Sequence, residues 1–361
     1  MSYDVAIIGA GMAGASLAAA IGDRARVILI EAEDMPGRHA TGRSAAFWSE
    51  TYGGPAVQPL TTASGEALRR GGYLTPLGSL HIGRAQDAAQ IERLLVDFAD
   101  TGVALSRVDP AARVPGLRPE WVHGVWEPSC AYIDVAALHA DYLAQARAAG
   151  AVVMTHAALT AAERHPEGWR LATRSGPVNA GVLVNAAGAW ADPVAALAGV
   201  APIGITPYRR TMVQLRTDPP AAAGLPHVVD ISGQFYFKPE AGGRLWLTPH
   251  DETPSVPCDI APEEWDVAVA IDRLEHVVDW RVAAVERRWA GLRSFAPDRA
   301  PVYGFDPDRP GFFWCAGQGG FGIQTAPAGA ALAAALLLGE GGMPGGVDVA
   351  RYAVDRFRRA G

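Results

Sequence analysis

Three features of this 361-residue sequence predict an α/β fold, a doubly wound sheet interleaved with an α+β unit built on an antiparallel sheet. The first is a glycine-punctuated strand–helix–strand unit at the start of the chain. The second is a pair of downstream segments in which an apolar strand runs into a glycine turn. The third is the β-patterned, proline- and aromatic-rich sequence between them.

The opening unit is complete. Asp4 to Ile8 reads as a buried strand, followed by Gly9, Gly11 and Gly14 in G-x-G-x-x-G spacing, a small-residue helix from Ala15 to Ala20, and a second strand, Val27 to Ile30. Gly9 permits the tight turn, Gly11 lets the backbone approach a pyrophosphate, and Gly14 lets helix and strand pack closely. The helix start, at Met12 and Ala13, turns its positive end to the phosphates. Glu31 follows 17 residues after Gly14, where a carboxylate accepts from ribose hydroxyls and repels a 2′-phosphate. This is a Rossmann-like dinucleotide site, and the motif alone does not choose between NAD and a flavin nucleotide.

Val182 to Trp190 and Gly311 to Gly322 repeat the strand and glycine-turn layout, and the second leads into an alanine-rich helix, Ala326 to Leu338. Between them lie strand patterns at Arg210–Leu215 and Gln234–Phe237, and helical patterns at Val135–Arg147, with Asp134 as N-cap, and Trp265–Val278. The expected division is discontinuous. Residues 1–49, 141–205 and 290–361 form the cofactor domain, and residues 50–140 and 206–289 the substrate domain.

Composition narrows the function. A net charge of −7 lacks the basic footprint of a nucleic-acid binder. Three scattered cysteines, Cys130, Cys258 and Cys315, fit neither a disulfide framework nor a metal site. The chain opens directly on a strand, and its longest apolar helix is too short for a membrane span, so a cytoplasmic protein is expected. Of 31 basic residues only Lys238 is lysine.

Four segments together resemble the D-amino-acid oxidase-like flavoprotein superfamily: the glycine motif, Thr41 to Ala46, Val184 to Trp190, and Gly317 to Thr325. Within it, Pro207 to Arg210, Phe235 to Pro239 and Trp289 to Phe295 are similar to bacterial D-arginine dehydrogenases. The resemblance implies FAD. Arg43, Ser44 and Ala45 would meet its pyrophosphate and flavin side. Glu31 and Ala32 would lie at the ribose, and the backbone at Ala158 at the adenine. Ala187, Gly188 and Trp190 would lie against the nucleotide, and Gly319, Gly320, Phe321, Gly322, Ile323 and Gln324 against the flavin. The helix starting near Thr325 would direct its positive end at the flavin N1–C2=O edge, where reduction places negative charge. No cysteine stands near Leu292–Arg293, and the dehydrogenase likeness carries a histidine at His39 with free FAD, so non-covalent FAD is expected.

The same resemblance implies an amino-acid site. Arg210 and Arg293 would clamp the substrate carboxylate, a task suited to the guanidinium fork, with Tyr236 donating its hydroxyl. Arg209 should point to the opposite face of its strand. The Gly320 carbonyl would accept from the α-amine, and Gln324 would orient the amine or the flavin ring. Tyr52 would wall or cover the pocket. Where the D-arginine enzymes carry a glutamate, a histidine, a threonine and a methionine, this chain has Ser79, Phe47, Ser49 and His227. Without that glutamate a buried guanidinium loses its partner, which favours a neutral D-amino acid, with Glu50 the alternative anion.

The expected reaction is hydride transfer from Cα to flavin N5, giving an imino acid that hydrolyses to a 2-oxo acid. No lysine lies between Thr248 and Asp259, where sarcosine-oxidase-like enzymes activate O₂, so a quinone or another acceptor is expected to take the electrons. The alternatives are an O₂-using amine oxidase of the sarcosine or glycine oxidase type, a D-arginine dehydrogenase proper, an NAD enzyme and a flavin sensor without turnover.

Overall fold

The computed structural model describes residues 2–340 and 342–357. Its first sheet is organised around Gly176–Asn185, which pairs in parallel with Ser2–Ile8. Val27–Ile30 and then Val152–Met154 extend that parallel run. On its other edge Gly176–Asn185 is shared, its first half pairing antiparallel with Gly168–Thr173 and its last three residues parallel with Phe312–Ala316. Such strands are covered on both faces, which is why Val27–Ile30 is wholly apolar and wholly buried. One face packs on the helices Met12–Ile21 and Ala326–Leu338, and the other on Ala191–Leu197. The register puts Ile8 beside both Ile30 and Asn185, and Asn185 beside Trp314. The four strand ends and the three glycine turns that follow them therefore meet at one carboxyl edge, the place where an open α/β sheet binds its ligand.

The second sheet is built on two long antiparallel strands, Thr206–Asp218 and Arg281–Phe295, and continues through Arg244–Thr248, Tyr236–Glu240, His227–Asp230, Ser79–Arg84 and Trp121–Glu127. Side-chain alternation gives it two faces. Val213, Leu215, Phe237 and Leu247 pack with Val267, Ala270 and Leu274 of the helix Glu264–Glu275. Arg210, Met212 and Tyr236 stand on the opposite face, towards the first sheet.

Expected elements shift their ends, the strand lengthening and the helix shortening. The strand expected at Arg210–Leu215 spans Thr206–Asp218, and the helix expected at Trp265–Val278 is Glu264–Glu275. Asp134 caps Val135–Ala148 by accepting from Ala137 N at 2.9 Å. The domain boundary expected between residues 289 and 290 falls inside a strand. Arg281–Phe295 pairs with Thr206–Asp218 from Thr206–Phe295 to Asp218–Arg281, with register shifts only beyond Gln214, so no linker separates Trp289 from Ala290. Among the described residues no helix is long and apolar enough to cross a membrane.

Candidate active site

A cavity of about 560 Å³ runs along the carboxyl edge of the first sheet and under the second. Its near end is formed by Gly9, Gly11, Met12, Ala13, Glu31 and Ala32. Gly9 has φ +99°, and a Cβ there would lie 2.6 Å from the Ala186 carbonyl oxygen. Gly14 does not reach the cavity. A Cβ at Gly14 would sit 2.0 Å from Gly9 O, which makes its part close packing, as expected. At Gly11 a Cβ meets only Thr41 Oγ1, at 3.3 Å, so the space in front of it is a cradle fitted to a phosphate group. The Glu31 carboxylate accepts from Ala10 N at 2.9 Å and Glu33 N at 3.0 Å, which fixes it at the cavity wall.

Arg43, Ser44, Ala45 and Ala158 line the middle of the cavity, with Ala187, Gly188 and Trp190. The Arg43 guanidinium is turned away. It donates to the carbonyls of Ile260 at 3.0 Å and Ala290 at 3.2 Å and pairs with Asp259, so it ties the turn Thr41–Arg43 to the second sheet and the loop at 259–260. His39 also lines the cavity. Its Nε2 lies 2.9 Å from Glu33 Oε1, and its Nδ1 is buried without a partner.

Arg210 and Arg293 line the far end with Gly319, Gly320, Gly322 and Ile323. They come together because Arg293 stands opposite Tyr208 in the antiparallel pair, one diagonal from Arg210 on the same face. Arg210 Nε donates to Asp251 O at 2.8 Å and Nη2 to Glu252 at 3.1 Å, while Nη1 is buried with no partner. Burial, and then the charge of Arg293, lower the Arg210 pKa to about 10. Arg293 has no carboxylate partner among the described residues, and its Nη2 donates to the Tyr236 hydroxyl at 3.3 Å. Burial raises the Tyr236 phenol, so it stays a protonated donor. Arg209, on the other face, ion-pairs with Asp266 at 2.9 Å.

Aromatic rings close this end. Phe47 packs on Tyr52 at 5.0 Å, on His227 at 4.4 Å and on Tyr236 at 5.5 Å between ring centroids. A Cβ at Gly320 would lie 2.4 Å from the Tyr52 hydroxyl, so only glycine lets Tyr52 reach Arg293. Two expected flavin neighbours lie elsewhere. Gln324 is spent on a buried network, accepting from Ser49 N at 3.3 Å and donating to Tyr52 O at 3.0 Å and Thr61 at 2.9 Å. Phe321 packs with Val57 and Phe295 away from the cavity. The helix Ala326–Leu338 starts beside Ile323, but its first N–H groups are taken by Ile323 O and Ser64 Oγ, leaving the dipole rather than free donors.

Sequence reasoning missed a buried polar cluster behind the aromatic wall. Glu127 is fully buried and accepts from Glu50 N at 2.7 Å, Ser129 at 3.3 Å, Ser49 at 2.9 Å and Thr51 at 2.6 Å. Burial opposes its ionisation, yet His81 and the Thr51 and Ser49 hydroxyls hold it below the usual carboxylate range. Its one signal in the sequence is a lone acid closing the apolar strand Trp121–Glu127. Ser79 is buried and bonds His227 Nδ1 at 3.1 Å. The Glu50 carboxylate turns to Thr62, at 2.6 Å. Lys238 is enclosed by Tyr132, Trp246 and Glu240, far from a flavin role. No described group of three or more His, Cys, Asp or Glu is arranged to hold a metal.

Residues 4–336 match the family described as "FAD dependent oxidoreductase". The chain is 27% identical over 376 positions to the tRNA 5-methylaminomethyl-2-thiouridine biosynthesis bifunctional protein MnmC of Polaromonas sp., covering 92% of this chain and 56% of that protein. It is 32% identical over 127 positions to mouse mitochondrial dimethylglycine dehydrogenase, covering 34% of this chain and 14% of that protein. The chain thus spans about half or less of the length of these relatives. L-proline dehydrogenase from P. horikoshii shares the fold at TM-score 0.87 and 22% identity, over 99% of this chain and 98% of that one. Glycine oxidase from Geobacillus kaustophilus does so at 0.83 and 24%, over 98% and 99%. With the open space at Gly11, the Glu31 carboxylate at the wall and the cavity between two sheets already in place, the match across nearly the whole chain has one meaning: this protein belongs to the FAD-dependent oxidoreductase family, and its cofactor is FAD.

Proposed function

We propose that this enzyme oxidises a D-amino acid with a neutral side chain to the imino acid, using non-covalently held FAD and a quinone or another acceptor to take the electrons onward. The observation that carries this reading is the pair of arginines at the far end of the cavity. Arg293 has no carboxylate of its own among the described residues, and Arg210 keeps a buried, unpartnered Nη1. A substrate carboxylate supplies the missing anion, and Tyr236 adds a neutral donor. Bound FAD supplies the two-electron acceptor for the Cα–H bond. The chain's residues hold the carboxylate, let the Gly320 carbonyl accept from the neutral α-amine, and exclude water with the wall of Phe47 and Tyr52. As the Cα hydrogen leaves with its electron pair, the amine lone pair forms C=N, and water then releases the 2-oxo acid and ammonia.

The preference for a D-substrate rests on the likeness to D-arginine dehydrogenases, and the preference for a neutral side chain on Ser79 and Phe47. Glu127 does not restore a guanidinium site, because its four acceptor positions already receive four donors. Dehydrogenase rather than oxidase chemistry is supported by the absence of lysine from Thr248 to Asp259.

Anaerobic mixing with paired D- and L-amino acids tests the proposal. Bleaching of the flavin by neutral D-amino acids, ahead of their L-forms and of D-arginine, is expected. Bleaching by D-arginine first, by L-forms alone, or only by secondary amines such as sarcosine or proline would contradict it.

A further inference from the structure

Beside the aromatic wall lies a second cavity of about 150 Å³, bounded by Ser49, Thr51, Tyr52, His81 and His227. Tyr52 bounds this cavity, and its hydroxyl lies against Gly320, a residue of the main cavity's wall. The His227 ring packs on Phe47 at 4.4 Å and on Tyr236 at 5.1 Å, one side chain from Arg293. The cavity thus adjoins the place where the clamp would hold an amino acid.

His227 is 2% exposed, and its Nε2 is buried without a partner. Its protonation pattern follows from Ser79. Among the described residues the buried Ser79 hydroxyl has one partner, His227 Nδ1 at 3.1 Å. If Ser79 donates to Nδ1, the proton of a neutral ring sits on Nε2, and one group, that N–H, lacks a partner. The reverse arrangement strands both the serine proton and the Nε2 lone pair. The first costs less, because each unmade buried hydrogen bond is expensive. A doubly protonated ring is disfavoured by burial, which pushes the His227 pKa well below its ordinary value. His227 therefore presents a neutral N–H donor that seeks an oxygen.

The charge of the ligand follows from what stands behind. Thr51 donates to Glu127 at 2.6 Å and so receives His81 Nε2–H at 3.1 Å. That chain of bonds ends on a buried carboxylate, which repels a second one brought into the cavity. A cation is drawn to that charge and to Asp230, which also bounds the cavity, but it has no lone pair with which to accept from His227 Nε2–H. A neutral acceptor is what remains.

Resting on the reading of the main site as one for D-amino acids, we propose that the small cavity receives the end of the substrate side chain. His227 Nε2–H there donates to a neutral carbonyl oxygen, so the substrate class is D-amino acids with a carboxamide or similar carbonyl-bearing side chain.

Isosteric pairs test this with the FAD-loaded enzyme: D-asparagine against D-leucine, and D-glutamine against D-homoleucine. Stopped-flow flavin reduction should favour at least one amide by about tenfold in reduction rate over Kd, the worth of one buried hydrogen bond. His227→Phe should reduce that advantage to about twofold or less. His227→Gln, which retains an N–H donor, should recover part of it. Equal or better reduction by both hydrocarbons in the wild type overturns the proposal without any variant, as does an amide preference that survives His227→Phe. If none of the four reduces the flavin while an L-form or a secondary amine does, the reading of the main site fails and takes this one with it, an outcome unlike a reversed amide preference.

Discussion

Arg210 and Arg293 differ in what they already hold, and that difference predicts how their variants behave. Removing either leaves a bound carboxylate short of a charged partner, so Arg210→Ala and Arg293→Ala should each lower kcat/KM by about 2–5 kcal/mol. Arg210→Ala should also cost stability, because it leaves Asp251 O without its side-chain donor and Glu252 with only Arg299 as an ion-pair partner, whereas Arg293→Ala frees only Tyr236. Thermal melts of the two beside their kinetics check this. The pH profile carries the same geometry. His250 is held neutral, with a pKa lowered to about 3 by burial and then by the charges of Arg210 and Arg293, so it contributes no limb near neutrality. The ascending limb of kcat/KM belongs to the substrate α-amine, which must lose its proton. Arg210 is charged below about 10 and neutral above it, so kcat/KM should fall again near there. In kcat that limb should move to higher pH, because a bound carboxylate restores the charge. A profile of kcat/KM that keeps rising past that point would contradict the assignment. Specificity engineering is constrained too. Ser79 stands opposite Glu127 across an antiparallel pair, with Cβ atoms about 5 Å apart. Ser79→Glu, with or without Phe47→His, buries a second carboxylate there and should destabilise the protein by on the order of 3 kcal/mol. Adding Glu127→Gln should relieve it, as melting would show. The meeting of Arg210 and Arg293 at one cavity was legible because they sit in alternating strand patterns within a recognisable motif. Glu127 was not, since its hydrogen bonds to Ser49, Glu50 and Thr51 span 76 to 78 positions. Gln324 was misread because its neighbours in sequence reach the cavity while its own amide turns inward to Ser49 and Thr61.

At the scale of elements, the two inner glycines of the opening turn separate folding from cofactor binding. A methyl at Gly14 would collide with Gly9 O, backbone that cannot yield cheaply, so Gly14→Ala should weaken the helix-to-strand contact and lower both the melting temperature and the flavin content. At Gly11 a methyl has room within the chain, meeting only Thr41 Oγ1 at 3.3 Å, and instead fills the cradle. Gly11→Ala should therefore keep the fold of the apoprotein while losing flavin absorbance. Equal losses of stability in the two variants would show that Gly11 is structural. Strand–turn–helix units were legible because a buried parallel strand is an unbroken apolar run that stops at glycine. Strand lengths in the second sheet were not. Thr206–Asp218 and Arg281–Phe295 carry polar and charged residues throughout, and their continuity comes from pairing with each other rather than from local pattern.

Across the whole molecule, the chain leaves and re-enters each sheet, and this places the cavity between them. Residues from the first fifty positions, from the middle of the chain and from its last fifty positions surround one space. The interleaving was legible from glycine turns recurring far apart. The exact boundary was not, because Arg281–Phe295 serves the second sheet along its length and its last residues, with Gln318–Gly319, help to close the cavity. The FAD this cavity would enclose is proposed above to be held without a covalent link. Acid precipitation should therefore release all the flavin colour into the supernatant, and colour held in the pellet would point to His39, whose Nδ1 is buried without a partner at the cavity wall. The central claim is that two arginines and a tyrosine grip a carboxylate at the far end of that cavity. Anaerobic stopped-flow reduction by the best neutral D-amino acid, compared with its own primary carboxamide, tests that grip most directly. The amide lacks the anion and carries a less basic α-amine, so rates over Kd are compared per neutral-amine form of each. The acid should reduce the flavin at least about a hundredfold more effectively in rate over Kd, the worth of a buried charge-assisted pair, and Arg293→Ala should shrink that ratio. Comparable reduction by acid and amide in the wild type would contradict the clamp.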